Sequence, residues 1–104
     1  MFRVIETTTN KKKIAKSISD ELISNKLVAC VQIIDNTQSK YVWKNKICTE
    51  NELIVRSKTI SDKLEDVCSI IKKYHNYENP EIISFNMDIH SEKYKNWLLE
   101  SLEN

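Results

Sequence analysis

The chain has 104 residues, of which 16 are Lys or Arg and 15 are Asp or Glu, so its net charge is only +1. That length fits one domain over residues 1–104, and the balanced charge gives no indication of a nucleic-acid partner. No apolar run approaches the roughly 20 residues of a membrane span and no secretory signal is recognisable, so we expect a cytoplasmic protein.

The first part of the chain predicts a strand followed by a helix. Residues 2–9 are largely β-branched or aromatic, which is typical of a strand. Apolar residues then recur at helical spacing through residues 11–26. Asn10 lies where its side chain can cap the N-terminus of that helix.

A long β-hairpin is predicted next, and the rest of the architecture depends on it. Residues 27–43 and 46–59 have the composition of two strands, with a turn at Lys44-Asn45 and a bend at Asp35-Asn36-Thr37. Seventeen extended residues span roughly 55 Å, whereas a domain of this size is only about 35 Å across. We therefore expect the outgoing strand to bend and the far end of the hairpin to pack on another copy of the chain.

The chain then predicts a second helix and a polar connector. Asp62 lies where it can cap a helix whose apolar stripe includes Val67 and Cys68, so we expect Cys68 to fill the core. Residues 74–80 follow as a polar segment, and Pro80 prevents a helix from continuing through it.

A fourth strand and a last helix complete the chain. Residues 81–89 begin after Pro80 and alternate between apolar and polar side chains, which is the pattern of a strand with one covered face. Ser91 is expected to cap the last helix. The buried stripe of that helix is predicted at four positions: Tyr94, Trp97, Leu98 and Leu102.

This order of elements predicts an α+β fold. Because crossover connections are right-handed, a strand-helix-strand-strand-helix-strand order places both main helices on one face of a four-stranded antiparallel sheet. That is the ferredoxin-like βαββαβ arrangement, extended here by a C-terminal helix. Ile54 and part of residues 27–34 would face away from the helices, and an open apolar face of that extent predicts a partner surface.

Five stretches of the sequence carry a family resemblance. They are Ala29–Ile33, Ser39–Lys46, Glu52–Thr59, His75–Glu81 and Tyr94–Leu98. In their order and spacing, these stretches make the chain similar to the CutA divalent-cation-tolerance proteins. The resemblance implies a cytosolic homotrimer whose hairpins pair edge to edge between subunits, and a role in tolerance or homeostasis of divalent metal ions such as copper and zinc.

The sequence departs from the family pattern at several positions. Asn45 stands at the hairpin turn where Gly is usual, and Asn76 follows His75 where Pro is usual. Some bacterial members have Cys and His at the positions of Thr7 and Tyr74, and those members are associated with copper binding. His75 is what this chain keeps of that set, so it is the candidate ligand for copper or another divalent metal.

The resemblance also implies a pocket near the boundary between subunits. Lys58 is the candidate cation there, together with Trp43, Tyr77, Glu78 and Glu81. Lys58 could bind a carboxylate or phosphate, or it could form a structural ion pair with Glu81. The aromatic residues could equally serve as interface anchors.

The pattern of nucleophiles, bases and thiols does not indicate an enzyme. No spacing assembles a nucleophile, base and acid, and the three Cys residues lack a CxxC spacing, which favours free thiols. We expect Cys30 to be buried and inert, and Cys48, near the hairpin turn, to be the most reactive thiol. The leading hypothesis is a trimeric metal-binding protein. The alternative is a trimeric scaffold or signalling module that uses Lys58 to bind an anionic small molecule, or that binds a protein partner.

Overall fold

The computed structural model describes residues 1–103, one residue fewer than the predicted domain. Its elements are β1 (Phe2–Thr9), α1 (Lys12–Ser24), β2 (Cys30–Trp43), β3 (Lys46–Ile60), a 3-10 turn (Ser61–Lys63), α2 (Leu64–Tyr74), β4 (Ile82–Asn86) and α3 (Glu92–Ser101). The strands form one antiparallel sheet in the order β2-β3-β1-β4. The predicted ferredoxin-like fold of the subunit, with its long central hairpin and extra helix, is thereby confirmed. Over the described residues, no helix has the length and apolar character needed to cross a bilayer.

Alternation along the strands determines which face of the sheet is buried. On β3, Leu53 and Val55 are buried. Ile54, which lies between them, and Arg56, which follows Val55, are only partly covered. The buried strand residues pack against apolar side chains of both main helices: Ala15, Ile18, Leu22, Val67 and Ile71. Burial of each large aliphatic side chain contributes roughly 1.5–3 kcal/mol. Helices α1 and α2 therefore cover the same face, as the sequence predicts.

Helix α3 covers one end of the opposite face. Val4 is only 6 % exposed although its neighbour Ile5 points into the helix-facing core, so Val4 is covered from the other side. Lys58 is the register partner of Val4, and its Nζ lies 6.0 Å from the centre of the Tyr94 ring in α3. Leu98 of α3 is buried, and so is Leu102, the residue that directly follows the helix.

The β2-β3 hairpin extends beyond the rest of the sheet as a two-stranded arm, residues 37–52. Pairing of β1 with β3 ends at Leu53, while β2 and β3 continue to pair as far as Trp43 and Lys46. The molecule is correspondingly elongated, with extents of 46 × 26 × 21 Å. The predicted bend is present as a bulge between Ile34 and Thr37 inside a continuous strand.

The helix caps follow the sequence prediction at one of three places. Ser91 caps α3 by accepting a hydrogen bond from the backbone N–H of Tyr94, as predicted. Asn10 does not cap α1, because its side-chain oxygen accepts a hydrogen bond from the Asn76 amide and the N-cap position is occupied by Lys11. Asp62 does not cap α2 either, since it lies within the 3-10 turn that precedes the helix and the N-cap position is Lys63.

Strand limits and the exposure of several side chains also differ from the prediction. Strand β2 begins at Cys30 rather than residue 27, and β4 covers residues 82–86 rather than 81–89, because the chain turns away towards α3 once pairing with β1 ends. Trp97 is 45 % exposed, as it lies beside the buried stripe of α3 rather than in it. All three thiols are free and partly exposed, so neither Cys30 nor Cys68 is the buried core residue expected.

Candidate functional site

The connector between α2 and β4 is fastened to the end of β1 by His75. Its Nε2 lies 2.9 Å from the carbonyl oxygen of Thr8 and 3.1 Å from Thr7 Oγ1, while its Nδ1 accepts a 3.0 Å hydrogen bond from the backbone N–H of Tyr77. Because a carbonyl oxygen only accepts, these partners assign the proton to Nε2. Burial lowers the pKa of His75, and this effect is opposed by the Thr8 carbonyl and the charge of Glu52. The neutral imidazole is the form that fits both contacts.

This arrangement determines what metal binding at His75 would require. Both ring nitrogens have protein partners, so a metal ion would have to displace Thr8 or the N–H of Tyr77. Burial and the neighbouring Glu21 raise the pKa of Tyr74, which keeps that phenol protonated. Within residues 1–103, no three His, Cys, Asp or Glu side chains are grouped so that they could hold a metal ion. The geometry gives His75 a structural role, and its role as a metal ligand stays a prediction.

A groove of about 660 Å³ opens between the connector and the arm. The bulge in β2 creates one of its walls, because beyond the bulge the odd residues of β2 share a face with the even residues of β3. Tyr41 and Trp43 therefore stand on the same side of the arm as Glu50 and Glu52. Aromatic rings and carboxylates dominate the lining: Tyr41, Trp43, Glu50, Glu52, Tyr77, Glu78 and Glu81.

Phenol hydroxyl groups hold two of the carboxylates in place. Tyr77 donates a 2.6 Å hydrogen bond to Glu52 Oε2, and Tyr41 donates a 2.9 Å hydrogen bond to Glu50 Oε2. The side-chain amide of Asn10 donates to the other oxygen of Glu50 at 2.8 Å. These contacts tie the connector, the arm and the end of β1 together around the groove.

The electrostatics of the groove are negative. Burial and the adjacent Glu52 raise the pKa of Tyr77, and burial together with Glu52 and Glu6 raises the pKa of Glu81. Lys40 is the cationic side chain in the lining. In the described part of the chain, no ion pair involves a groove carboxylate. The groove therefore favours a cation over an anion.

The structure brings together four of the five residues predicted for the pocket. Trp43, Tyr77, Glu78 and Glu81 line the groove, whereas Lys58 lies apart from it. The separation follows from the strand register. Lys58 pairs with residue 4 of β1, whereas Glu81 directly precedes Ile82, which pairs with residue 7 of β1. These two positions on β1 are three residues, or roughly 10 Å, apart. A pocket that includes Lys58 stays a prediction for the assembled protein.

Tyr41, Glu50 and Glu52 are groove residues that the sequence did not predict. Glu50 and Glu52 are two apart on one strand, which indicates a shared face, but their alignment with Tyr41 depends on the bulge. Asn36 at the bulge has a left-handed backbone, with φ 59°. The sequence indicates a bend there without showing how many residues are unpaired, so the partners beyond it were not predictable.

The fold and the groove define a class of protein: a small ferredoxin-like subunit with a projecting two-stranded arm and a polar groove at its base. The family model for the CutA1 divalent ion tolerance protein matches residues 3–101. The chain therefore belongs to the CutA1 divalent ion tolerance family.

Individual relatives agree with this membership. The chain is 31% identical over 102 residues to the divalent-cation tolerance protein CutA of Thermotoga maritima, covering 98% of this chain and 99% of that one. It is 30% identical over 101 residues to the chloroplastic CutA of Arabidopsis thaliana, covering 97% of this chain. It spans only 56% of that plant protein, or about half its length.

Solved structures agree as well. The divalent ion tolerance protein CutA1 of Ehrlichia chaffeensis superposes with a TM-score of 0.92 at 30% identity, covering 99% of this chain and 96% of that one. The divalent cation tolerance protein of Thermus thermophilus superposes with a TM-score of 0.92 at 28% identity, covering 97% of this chain and 98% of that one.

Proposed function

We propose that the protein is a cytoplasmic binding protein that contributes to tolerance or homeostasis of divalent metal ions, with copper and zinc as the candidate ions. The observation that carries this proposal is the match of the divalent ion tolerance family to residues 3–101. Two relatives that match 97% and 98% of the chain are named for divalent-cation tolerance. We propose that the protein acts by binding and not by catalysis.

We further propose that the functional unit is a homotrimer. Its support is the apolar surface that one subunit leaves exposed. Val42 and Ile47 face each other across the arm and are 69% and 77% exposed. Ile83 and Phe85 of β4 are also exposed, on the sheet face opposite α1 and α2. Strands β2 and β4 are the edges of the sheet, and a neighbouring subunit that pairs with them would cover these side chains.

In this proposal the metal sites lie at the subunit boundaries, around His75, Tyr77 and Glu81. Three equivalent sites would follow from the symmetry, and a neighbouring chain would add ligands to those of one subunit. A shift of the connector that breaks the hydrogen bond from the Tyr77 N–H would free the lone pair of His75 Nδ1, and a neutral imidazole nitrogen is a good ligand for copper or zinc. Metal binding would thus be linked to the conformation of the connector.

Native mass spectrometry before and after addition of copper or zinc tests this proposal. The chain contains two His residues, so His90→Ala, which removes the exposed second one, is a matched control for His75→Ala. We expect a mass of three times 12.2 kDa and one metal per subunit in the wild type and in His90→Ala. His75→Ala is expected to lose the metal and keep the trimer.

The outcomes separate the parts of the proposal. Equal metal uptake by His75→Ala and the wild type would show that His75 is not a ligand. A trimer that binds neither metal would remove metal binding and leave a binding module of another kind. A monomer at every concentration would contradict the assembly.

The alternative function, a scaffold or signalling module that binds an anionic small molecule, has less support from the geometry. It depends on Lys58, whose ammonium group lies against Tyr94 of α3. The groove itself is lined by carboxylates, which repel anions. The negative charge of the groove favours a positively charged ligand instead.

A further inference from the structure

The groove between the connector and the arm combines two kinds of group that recognise organic cations. Tyr41, Trp43 and Tyr77 contribute aromatic rings, which attract an ammonium group within about 6 Å of the ring centre. The Trp43 ring already has such a partner, because Lys44 Nζ lies 5.9 Å from its centre. The two Tyr rings remain as walls. A volume of about 660 Å³ is that of an ordinary small-molecule pocket.

Glu52 is the buried charge of this groove. Its side chain is only 6 % exposed, and the Tyr77 hydroxyl group is the hydrogen-bond donor to its Oε2. Glu6 on the neighbouring strand has an ion pair, with Arg56 Nε at 2.6 Å, whereas over residues 1–103 no Lys, Arg or His forms one with Glu52. Burial of a carboxylate without an opposite charge is costly. A cation bound in the groove would remove that cost.

We propose that the groove binds a small organic cation with primary ammonium groups, of the polyamine class. Glu52 and Glu50 would accept hydrogen bonds from the ammonium groups, and the alkyl chain would lie against Tyr41 and Tyr77. A bare metal ion fits this groove less well, because the described carboxylates are not grouped as a coordination set. This inference goes beyond the metal proposal and does not depend on His75.

Calorimetric titration of the intact protein with spermidine, without added metal and at constant ionic strength, tests the inference. Glu52→Gln keeps the shape of the side chain and an acceptor for Tyr77, and removes the charge. Glu100→Gln is the matched control, since Glu100 is exposed on α3 away from the groove. We expect equal affinity in the wild type and in Glu100→Gln. We expect at least about tenfold weaker binding in Glu52→Gln, because a charge-assisted hydrogen bond is lost.

Two further probes separate recognition from simple charge attraction. Hexane-1,6-diol has an alkyl chain without charge, and magnesium chloride has charge without an alkyl chain; neither is expected to displace spermidine at matched concentration. If Glu52→Gln unfolds, Glu50→Gln provides the second variant, with an expected loss of about threefold.

Three results would overturn the inference. They are the absence of binding by the wild type, equal affinity in the groove variants and the control, and displacement of spermidine by magnesium. None of them bears on the metal uptake of His75→Ala, so this inference and the proposed metal function fail by different measurements.

Discussion

At His75, hydrogen-bond partners determine what the side chain can do more than the residue type does. An imidazole with free nitrogens is a good metal ligand and a good base near neutral pH. Here the Thr8 carbonyl accepts from Nε2, and the Tyr77 N–H donates to Nδ1. A second proton on the ring would be on Nδ1, and it would place two hydrogen-bond donors, Nδ1–H and the Tyr77 N–H, against each other. The ring is therefore held neutral, and the connector is held with it.

This leads to a prediction about the pH dependence of stability. The pKa of His75 is lowered in the folded protein, chiefly by burial, from an ordinary value of 6.5. As the pH falls below 6.5, the unfolded chain takes up this proton more readily than the folded protein does. The free energy of unfolding should therefore decrease from that pH down to the pKa of the folded state. Above 6.5 the contribution of His75 is fully present and constant.

Thermal unfolding between pH 7.5 and 5 checks this prediction. The melting temperature of His75→Gln should fall less steeply over this range than that of the wild type, since Gln has no proton to gain. His90→Gln, which removes the exposed second His, should follow the wild type. Parallel curves for all three proteins would show that His75 titrates alike in the folded and unfolded states.

At the scale of elements, the chain forms tight turns without any Gly. Among residues 1–103, four take left-handed backbone conformations: Lys26, Asn36, Lys44 and Asn45. Lys26 lies just after the end of α1. Its N–H donates to the Ile23 carbonyl, and the N–H of Leu27 donates to the Leu22 carbonyl, both at 3.1 Å. This is the Schellman arrangement, in which Gly is the usual residue. A left-handed conformation costs a residue with a Cβ atom about 1 kcal/mol.

We predict that Lys26→Gly stabilises the protein by roughly 1 kcal/mol, because Gly adopts this conformation without steric cost. Lys13→Gly is the matched control, since it makes the same substitution in the first turn of α1, where Gly has no conformational advantage, and should destabilise by up to about 1 kcal/mol. Denaturant unfolding of both variants measures the two effects. Shifts of the same sign would mean that the conformation of residue 26 does not limit stability.

How far the sequence predicts the elements depends on whether local or distant contacts determine them. The order of elements, the turn at Lys44-Asn45 and the capping of α3 by Ser91 depend on neighbouring residues, and all three were predicted correctly. The failed cap at Asn10 depends on Asn76, whose amide donates to the Asn10 side-chain oxygen from 66 residues away. Of the side chains that line the groove, the sequence indicates Trp43 and the connector residues as candidates but not Glu52. The bulge that aligns Glu52 with the groove is specified by tertiary pairing.

At the scale of the whole molecule, most of the large apolar side chains that are exposed lie on the sheet and its arm. The core beneath α1 and α2 is closed, whereas the arm and β4 expose large apolar side chains. An arm of two strands without a covering layer is marginally stable in water by itself. Its apolar residues are therefore best explained as contacts with a second copy of the chain, and this links the shape of the subunit to the proposed assembly.

Charge placed on the arm should therefore dissociate the assembly. Ile47 is 77% exposed near the hairpin turn, whereas Ile23, 45 % exposed, lies on α1 away from the arm. We predict that Ile47→Lys shifts the protein from trimer towards monomer in sedimentation velocity at micromolar concentration, and that Ile23→Lys leaves the trimer intact.

The melting temperature provides an independent measurement of the same equilibrium. Because assembly stabilises the folded chain by mass action, the melting temperature of the wild type and of Ile23→Lys should rise with protein concentration. That of Ile47→Lys should be lower and nearly independent of concentration wherever the variant is monomeric. A trimer that withstands Ile47→Lys would place the interface elsewhere than on this part of the arm. A monomeric wild type would leave the exposed arm to a partner other than a second copy of the chain.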